Sequence, residues 1–210
     1  MNLAKTLVLT CAALGLSVAA HAQDIVVNGS TTVLPVMQKA AESFMAANPD
    51  IKLVISGGGS GNGIKALGEK QCDVAMSSRD IKDKERAAAE KKGVKPVRIA
   101  VAVDAIVPVV NPENPVKDLS LDQLAAIYSG KVRNWKELGG QDGPIVVISR
   151  DTSSGTFESW QELVMKKERV TPAALMQASN GTVVQAVAPK AELLDYPTVL
   201  RAMTQGRGSF

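Results

Sequence analysis

The sequence predicts an α/β fold built mainly on parallel strands. Short apolar and β-branched runs alternate with helical segments along the 210-residue chain. Most of these runs end in a turn rich in Gly, Ser or Asn. Strands that alternate with helices usually pair in parallel, because each helix carries the chain back across the sheet. The chain is long enough to bury a core in one domain or in two small lobes.

The individual elements follow from local pattern and from turn residues. The predicted strands, each a short and mostly apolar run, cover 24–28, 51–56, 72–76 and 145–148. The predicted helices cover 32–47, 63–70, 81–92, 120–128, 134–138 and 155–167. Asn48-Pro49-Asp50 ends the first helix and Gly93 ends the third, because these residues interrupt helical geometry.

The run at 97–110 is apolar and β-branched, broken by Asp104 and Pro108, and is expected to be buried. A cluster of Asn and Pro at 111–115 then marks a change of region. The run can be a crossing between two lobes or an ordinary central strand with its loop. On the first interpretation the lobes cover 23–103 and 104–186.

Residues 1–22 are predicted to be a secretory signal peptide. Lys5 precedes an apolar run at 7–20, and Ala20-His21-Ala22 is a small-x-small cleavage site. The run is short for a membrane span. We therefore expect cleavage after Ala22 and a periplasmic protein.

Several classes of chemistry are excluded by the residue inventory. The only His is His21, in the predicted leader, and Cys72 is the only Cys outside it. A Ser-His-Asp triad, a Cys-His pair or a His-Cys zinc site therefore cannot form in the exported chain. A net charge of +3 and 3% aromatic residues argue against nucleic-acid binding.

Three predicted strands run into polar loops that precede helices, at 29–32, 56–63 and 149–156. Each loop supplies Ser or Thr hydroxyls and backbone N–H groups at a helix N-terminus, where an anion is favoured. Arg150 adds a planar fork suited to phosphate or carboxylate oxygens. Each loop alone could be a simple helix cap. If the loops face one cleft, their donors converge on a small anion.

Three known motifs for nucleotide binding or hydrolysis do not match the spacing of residues in the glycine-rich loop. Lys65 follows Ile64 rather than Gly, so the glycine-rich loop is not a P-loop. The same loop misses the dinucleotide fingerprint. A nucleophile elbow would need Gly at the position of Asn62.

Six blocks together resemble the phosphate-binding proteins of bacterial phosphate ABC transporters. They are GSTTVLP (29–35), SGGGSGNGIKAL (56–67), DVAMSSRDIK (73–82), AVDAIVPVVNPENPV (102–116), LDQLAAIYSGKVRNWKELGG (121–140) and SRDTSSGTFESW (149–160). The resemblance implies a type II periplasmic binding protein whose two lobes close by hinge motion around phosphate. It also implies delivery to a membrane permease, a monomer, no cofactor and no enzymatic activity.

The resemblance also implies a set of phosphate-binding residues. They are Ser30, Thr31, Thr32, Ser60, Ser78, Arg150, Ser154, Gly155 and Thr156. Some family members have Asp in place of Ser78, where the carboxylate accepts the proton of phosphate and repels sulfate. Ser78 can also be a simple loop cap.

Residues 187–210 depart from the family pattern, which would continue with a strand returning to the first lobe and a final helix. Residues 188–210 instead resemble the C-terminal end of elongation factor G. We therefore expect an incomplete fold of marginal stability. The alternatives to phosphate capture are binding of another tetrahedral oxyanion such as sulfate, a secreted phosphatase, and a truncated or chimeric product that does not bind.

Overall fold

The computed structural model describes residues 23–187, and its first half is built on a three-stranded parallel sheet. The strands are β1 (Gln23–Gly29), β2 (Ile51–Gly57) and β3 (Val74–Met76), in the order β2-β1-β3. Helices α1 (Leu34–Ala47), α2 (Ser60–Gly68) and α3 (Asp83–Lys91) follow the three strands in turn. Since β1 pairs on both sides, its Val27 is almost fully buried.

The second half contains a two-stranded parallel sheet and three α-helices. Helix α4 (Leu121–Ser129) and a 3-10 helix (Trp135–Leu138) precede β4 (Ile148–Arg150). Helix α5 (Gly155–Leu163), β5 (Leu175–Gln177) and helix α6 (Asn180–Val187) then follow, and β4 pairs with β5.

The core of the second half forms between α4 and α5. Leu124 of α4 packs with Trp160, Val164 and Met165, and all four are buried. The rings of Tyr128 and Trp160 lie with their centroids 4.7 Å apart. This packing fixes α5, and with it the loop that precedes α5.

The predicted α/β class with parallel strands is confirmed. Every ladder between the named strands is parallel. The predicted strand at 145–148 lies instead at 148–150, the residues that pair in register with β5. The 3-10 helix replaces a predicted α-helix, and β5 and α6 were not predicted. The expected leader (1–22) and the elongation-factor-like segment (188–210) lie outside the described residues.

The prediction that 97–110 is buried is wrong: only Ile106 and Val109 are partly covered, and the other residues of the run are exposed. Residues 97–105 form no strand and are exposed, with Val97 at 83% and Val103 at 103% of full exposure. An apolar run forms a buried strand only where a neighbouring strand or helix covers it, and no strand within 23–187 pairs with this one.

No helix among residues 23–187 is long and apolar enough to cross a membrane.

A group of four charged side chains joins the two halves. Arg79, in the loop after β3, lies 2.8 Å from Glu85 of α3 and 2.8 Å from Glu158 of α5. Lys82 also contacts Glu158. The Arg79 side chain is only 8% exposed, so water screens these pairs weakly.

We expect Glu158→Gln to destabilise the protein, because it leaves the buried Arg79 with one fewer counter-charge. Breaking a buried ion pair costs roughly 3–5 kcal/mol. Glu158 keeps some exposure, so a loss of about 1–3 kcal/mol is expected in the free energy of unfolding, measured by denaturant titration. The matched control is Glu162→Gln, an exposed position one turn later in α5 with no ion pair within 23–187. Equal losses in the two variants would contradict the prediction.

We also expect Glu85 to give part of the acid sensitivity of the fold. Burial raises the pKa of Glu85, but hydrogen bonds from Arg79 and from the Lys82 main chain outweigh it, so the net pKa is lowered. Its carboxylate therefore stabilises the fold above the unfolded pKa of about 4.3, and this contribution is lost as the pH falls further. Glu85→Gln should accordingly flatten the decline in unfolding free energy between about pH 6 and pH 3. Glu90→Gln, an exposed position on the same helix, should keep the wild-type decline.

Candidate anion-binding site

Five loops meet where the two halves touch, and each follows the carboxyl end of a strand. They lie after β1 (30–33), β2 (58–59), β3 (77–78), β4 (151–154) and β5 (178–179). In parallel sheets this edge is where ligands usually bind. Four of the loops lead directly into a helix, so main-chain N–H groups point into the same region.

Arg150, the last residue of β4, supplies a buried positive charge. The residue is 6% exposed, and its Nε and Nη2 donate to the carbonyls of Gln177 (3.1 Å) and Ala178 (3.0 Å). Its Nη1 donates to the side-chain oxygen of Asn180. One N–H on each terminal nitrogen is left over, because each of these nitrogens carries two hydrogens.

No carboxylate within 23–187 forms an ion pair with Arg150. Burial lowers the pKa of this guanidinium, and the charge of neighbouring Asp151 acts in the opposite direction. The group stays charged, since arginine is not deprotonated in proteins. A buried cation held only by neutral oxygens is a strong attractor for an anion.

The first cluster of polar side chains links Arg150 to both halves. Asn180, which accepts from Arg150, donates to Thr32 Oγ1 at 2.9 Å. Thr32 Oγ1 also lies 3.3 Å from Thr156 Oγ1. Two threonines separated by 124 positions in sequence are thus brought into contact.

The second cluster consists of Ser60, Ser78 and Gly155. The Ser60 and Ser78 hydroxyls lie 3.2 Å apart, and the Ser78 N–H donates to Ser60 Oγ. A Cβ added to Gly155 would lie 2.5 Å from Ser60 Oγ and 2.6 Å from Ser78 Oγ. Because Gly155 and Thr156 are consecutive, the N-terminus of α5 joins the two clusters.

Donors without a hydrogen-bond partner remain in the same loops. Thr31 Oγ1 is buried and has no hydrogen-bond partner in the described part of the chain. The main-chain N–H groups of Gly155 and Thr156 likewise have no acceptor within 23–187. Buried donors without partners are costly, and a ligand oxygen would satisfy them.

Two of the predicted ligands use their hydroxyls locally, Ser30 in the turn before α1 and Ser154 as the N-cap of α5. The Ser30 hydroxyl accepts from the N–H groups of Thr32 (3.2 Å) and Val33 (3.4 Å). The Ser154 hydroxyl accepts from the N–H of Phe157 at 3.4 Å. Both serines are buried, at 2% exposure. The structure therefore brings all nine predicted residues into one region, but it gives the hydroxyls of Ser30 and Ser154 local partners.

The two halves also make a main-chain contact at this seam. The Gly61 N–H donates to the carbonyl of Ser153 at 2.9 Å. Gly59 allows this approach, since its φ is +93° and an added Cβ would lie 2.5 Å from Ser153 Oγ. The described residues are thus arranged with the two halves closed on each other.

Asn180 and Ser153 were not predicted as site residues. Asn180 begins α6 after β5, so the run Ala178-Ser179-Asn180-Gly181 is a fourth strand–turn–helix unit of the kind already identified. That repetition was the signal that could have found it. In the described part of the chain, no group of three His, Cys, Asp or Glu side chains could hold a metal ion. The site offers N–H and O–H donors and one cation, which suits a small oxyanion.

Comparisons with known sequences point to one kind of protein. The chain is 34% identical over 174 residues to the phosphate-binding protein PstS of Bacillus subtilis, an alignment covering 82% of this chain and 56% of the relative. It is 31% identical over 169 residues to the protein SphX of Synechococcus elongatus, covering 78% and 50%. The chain thus spans about half the length of these relatives.

Comparisons with solved structures agree. A Clostridium perfringens structure, described as a phosphate ABC transporter substrate-binding protein with bound phosphate, matches with a TM-score of 0.70 and 42% identity. The match covers 79% of this chain and 66% of that one. An ABC-type phosphate transport receptor from Vibrio cholerae matches with a TM-score of 0.54 and 31% identity, covering 78% and 66%. The PBP superfamily domain matches residues 17–205, and the chain therefore belongs to the PBP superfamily.

Proposed function

We propose that this chain binds inorganic phosphate as the solute-binding part of an ABC importer. The observation that carries the proposal is the buried Arg150, which has no carboxylate partner within 23–187 and keeps an N–H on each terminal nitrogen. The names of the relatives support phosphate as the anion.

The donors around Arg150 suit a tetrahedral oxyanion, because they come from several directions. Thr31 lies on the first half of the chain, while Gly155 and Thr156 lie on the second. An anion held from both sides favours the closed arrangement over an open one, since closure completes its hydrogen bonds. We infer that the halves correspond to the lobes 23–103 and 104–186, with hinge motion between them.

The proposal also includes binding without catalysis, a periplasmic location and a membrane permease as partner. Binding without chemistry suits the site, because the described residues include no histidine and the Asp151 carboxylate accepts from the N–H and the hydroxyl of Ser153. The predicted signal peptide supports a periplasmic location. A transport role requires delivery of phosphate to a membrane permease.

We expect Arg150→Gln to weaken phosphate binding by about 100-fold or more, because it removes a buried charge and two donors. Arg150→Lys keeps the charge without the fork and should lose about tenfold. Binding is measured by calorimetry on phosphate-free protein, and thermal melts without ligand report whether each variant is folded. Arg133→Gln, an exposed position, is the control.

The same titrations separate phosphate from sulfate. Phosphate carries a proton near neutral pH, and the Ser60 and Ser78 hydroxyls can accept a hydrogen bond from it as well as donate one. We expect phosphate to raise the melting temperature and sulfate to do so more weakly. Equal binding of both anions would replace phosphate by tetrahedral oxyanions as a class. Unchanged affinity in Arg150→Gln would refute the site.

We expect Gly155→Ala to weaken phosphate binding by about tenfold or more, because its Cβ would clash with Ser60 and Ser78 and hold the halves apart. The control is Gly143→Ala, since nothing lies within 4 Å of a Cβ built there. Affinity is again measured by calorimetry. Wild-type affinity in Gly155→Ala would show that the close contact is not needed for binding.

A further inference from the structure

Asn180 and Gly181 form a pair of residues that is prone to spontaneous deamidation. In an Asn-Gly pair the main-chain nitrogen of Gly can attack the side-chain carbonyl carbon of Asn, and Gly has no Cβ to hinder the approach. The chain contains three such pairs, at 28–29, 62–63 and 180–181. The last pair adjoins Arg150, because the Asn180 side-chain oxygen accepts from the Arg150 guanidinium.

The attacking nitrogen is free in the last pair and held in the other two. The Gly181 main-chain N–H has no acceptor within 23–187, and Gly181 is exposed in the first turn of α6. The Gly63 N–H, in contrast, donates to the Gly59 carbonyl at 3.1 Å, and Gly63 is buried in α2. Gly29 lies in β1, which pairs on both sides. The backbone must leave its regular geometry to react, and this costs least at a helix end.

The Asn180 side chain contacts two residues of the candidate site. Its oxygen accepts from Arg150 Nη1, and its Nδ2 donates to Thr32 Oγ1 at 2.9 Å. Deamidation replaces Nδ2 by an oxygen and adds a full negative charge beside Arg150. That charge pairs with the guanidinium from within the protein and repels an anion from the site.

We propose that Asn180 is a deamidation site and that its conversion to aspartate or isoaspartate weakens anion binding. The Gly181 nitrogen gives its proton to a base in solution and forms a bond with Asn180 Cγ, while the side-chain nitrogen takes up a proton and leaves as ammonia. Water then opens the cyclic imide at its main-chain or its side-chain carbonyl, giving isoaspartate or aspartate. The inference rests on the proposed function for its effect on phosphate binding.

Bound phosphate should protect Asn180 from this reaction. Thr32 belongs to the first half and Arg150 to the second, so both hold the Asn180 side chain only while the halves are closed. Opening removes the Thr32 contact and lets the amide turn toward the Gly181 nitrogen. A ligand that favours the closed arrangement therefore slows deamidation.

Peptide mapping by mass spectrometry tests the site. Phosphate-free protein is kept warm at mildly alkaline pH, and we expect Asn180 to deamidate faster than Asn28 and Asn62, because only its attacking nitrogen is free among the three pairs. Gly181→Ala should resist the reaction, since a Cβ hinders the attack. The variant has room for this Cβ, whose nearest neighbour would be Ser179 Oγ at 3.7 Å. Equal rates at the three asparagines would overturn the proposal.

Asn180→Asp tests the effect on binding. We expect its melting temperature without ligand to equal or exceed that of the wild type, because the new carboxylate compensates Arg150 and lies at a helix N-terminus. Calorimetry with inorganic phosphate should show about 100-fold weaker binding or worse, because a like charge faces the anion. A purely structural role of Asn180 would instead lower the melting temperature as well. Gly181→Ala should bind like the wild type and keep its affinity through an incubation that weakens the wild type.

The same measurements separate this inference from the proposed function. If the fresh wild type binds phosphate and Asn180→Asp binds it equally well, the inference is wrong and the proposed function stands. If the fresh wild type binds no phosphate, the proposed function is wrong together with the effect of deamidation on binding. With a wild type that binds, phosphate at about 100 times its Kd leaves about 1% of the protein free, so deamidation at Asn180 should slow about tenfold or more. An unchanged rate would refute the protection.

Discussion

The buried charge of Arg150 is the constraint on which the site depends. Its guanidinium is held by carbonyls at the end of β5 and by the first residue of α6, so the placement of both elements is tied to it. Neutral oxygens compensate the positive charge of the guanidinium only partly, and the charge of a bound anion would complete this compensation. The same need explains why uncommitted donors gather around it, since an anion accepts from all of them together.

The hydroxyl-rich loops serve two purposes that sequence alone cannot separate. The Ser30 hydroxyl stabilises the turn before α1 and the Ser154 hydroxyl caps α5, and both hold main-chain segments in place beside the site. Thr31 keeps a buried hydroxyl without a partner. Neighbouring hydroxyl residues thus have different roles, since Ser30 forms hydrogen bonds within its loop and Thr31 keeps a donor available for a ligand.

The sequence predicted the features that depend on neighbouring residues. Features that depend on contacts between distant residues were predicted wrongly or not at all. Strand–loop–helix units gave the parallel fold and led to Arg150 and the loops around it. The meeting of Thr32 with Thr156 depends on tertiary packing, and the nine site residues themselves came from a family resemblance. The apolar pattern at 97–110 predicted burial, but a sequence pattern cannot tell whether a covering strand or helix exists. The role of Arg79 was not predicted either, because its partners come from two different helices.

The contact between Tyr128 and Trp160 has an optical consequence. Trp160 is buried on α5, one turn beyond the residues that join the two polar clusters, and its ring lies 4.7 Å from that of Tyr128. Indole emission responds to the polarity and rigidity of its surroundings. Any movement of α5 as its N-terminus engages a ligand is therefore transmitted to a native fluorophore, and the protein carries its own label for stopped-flow measurements of binding rates.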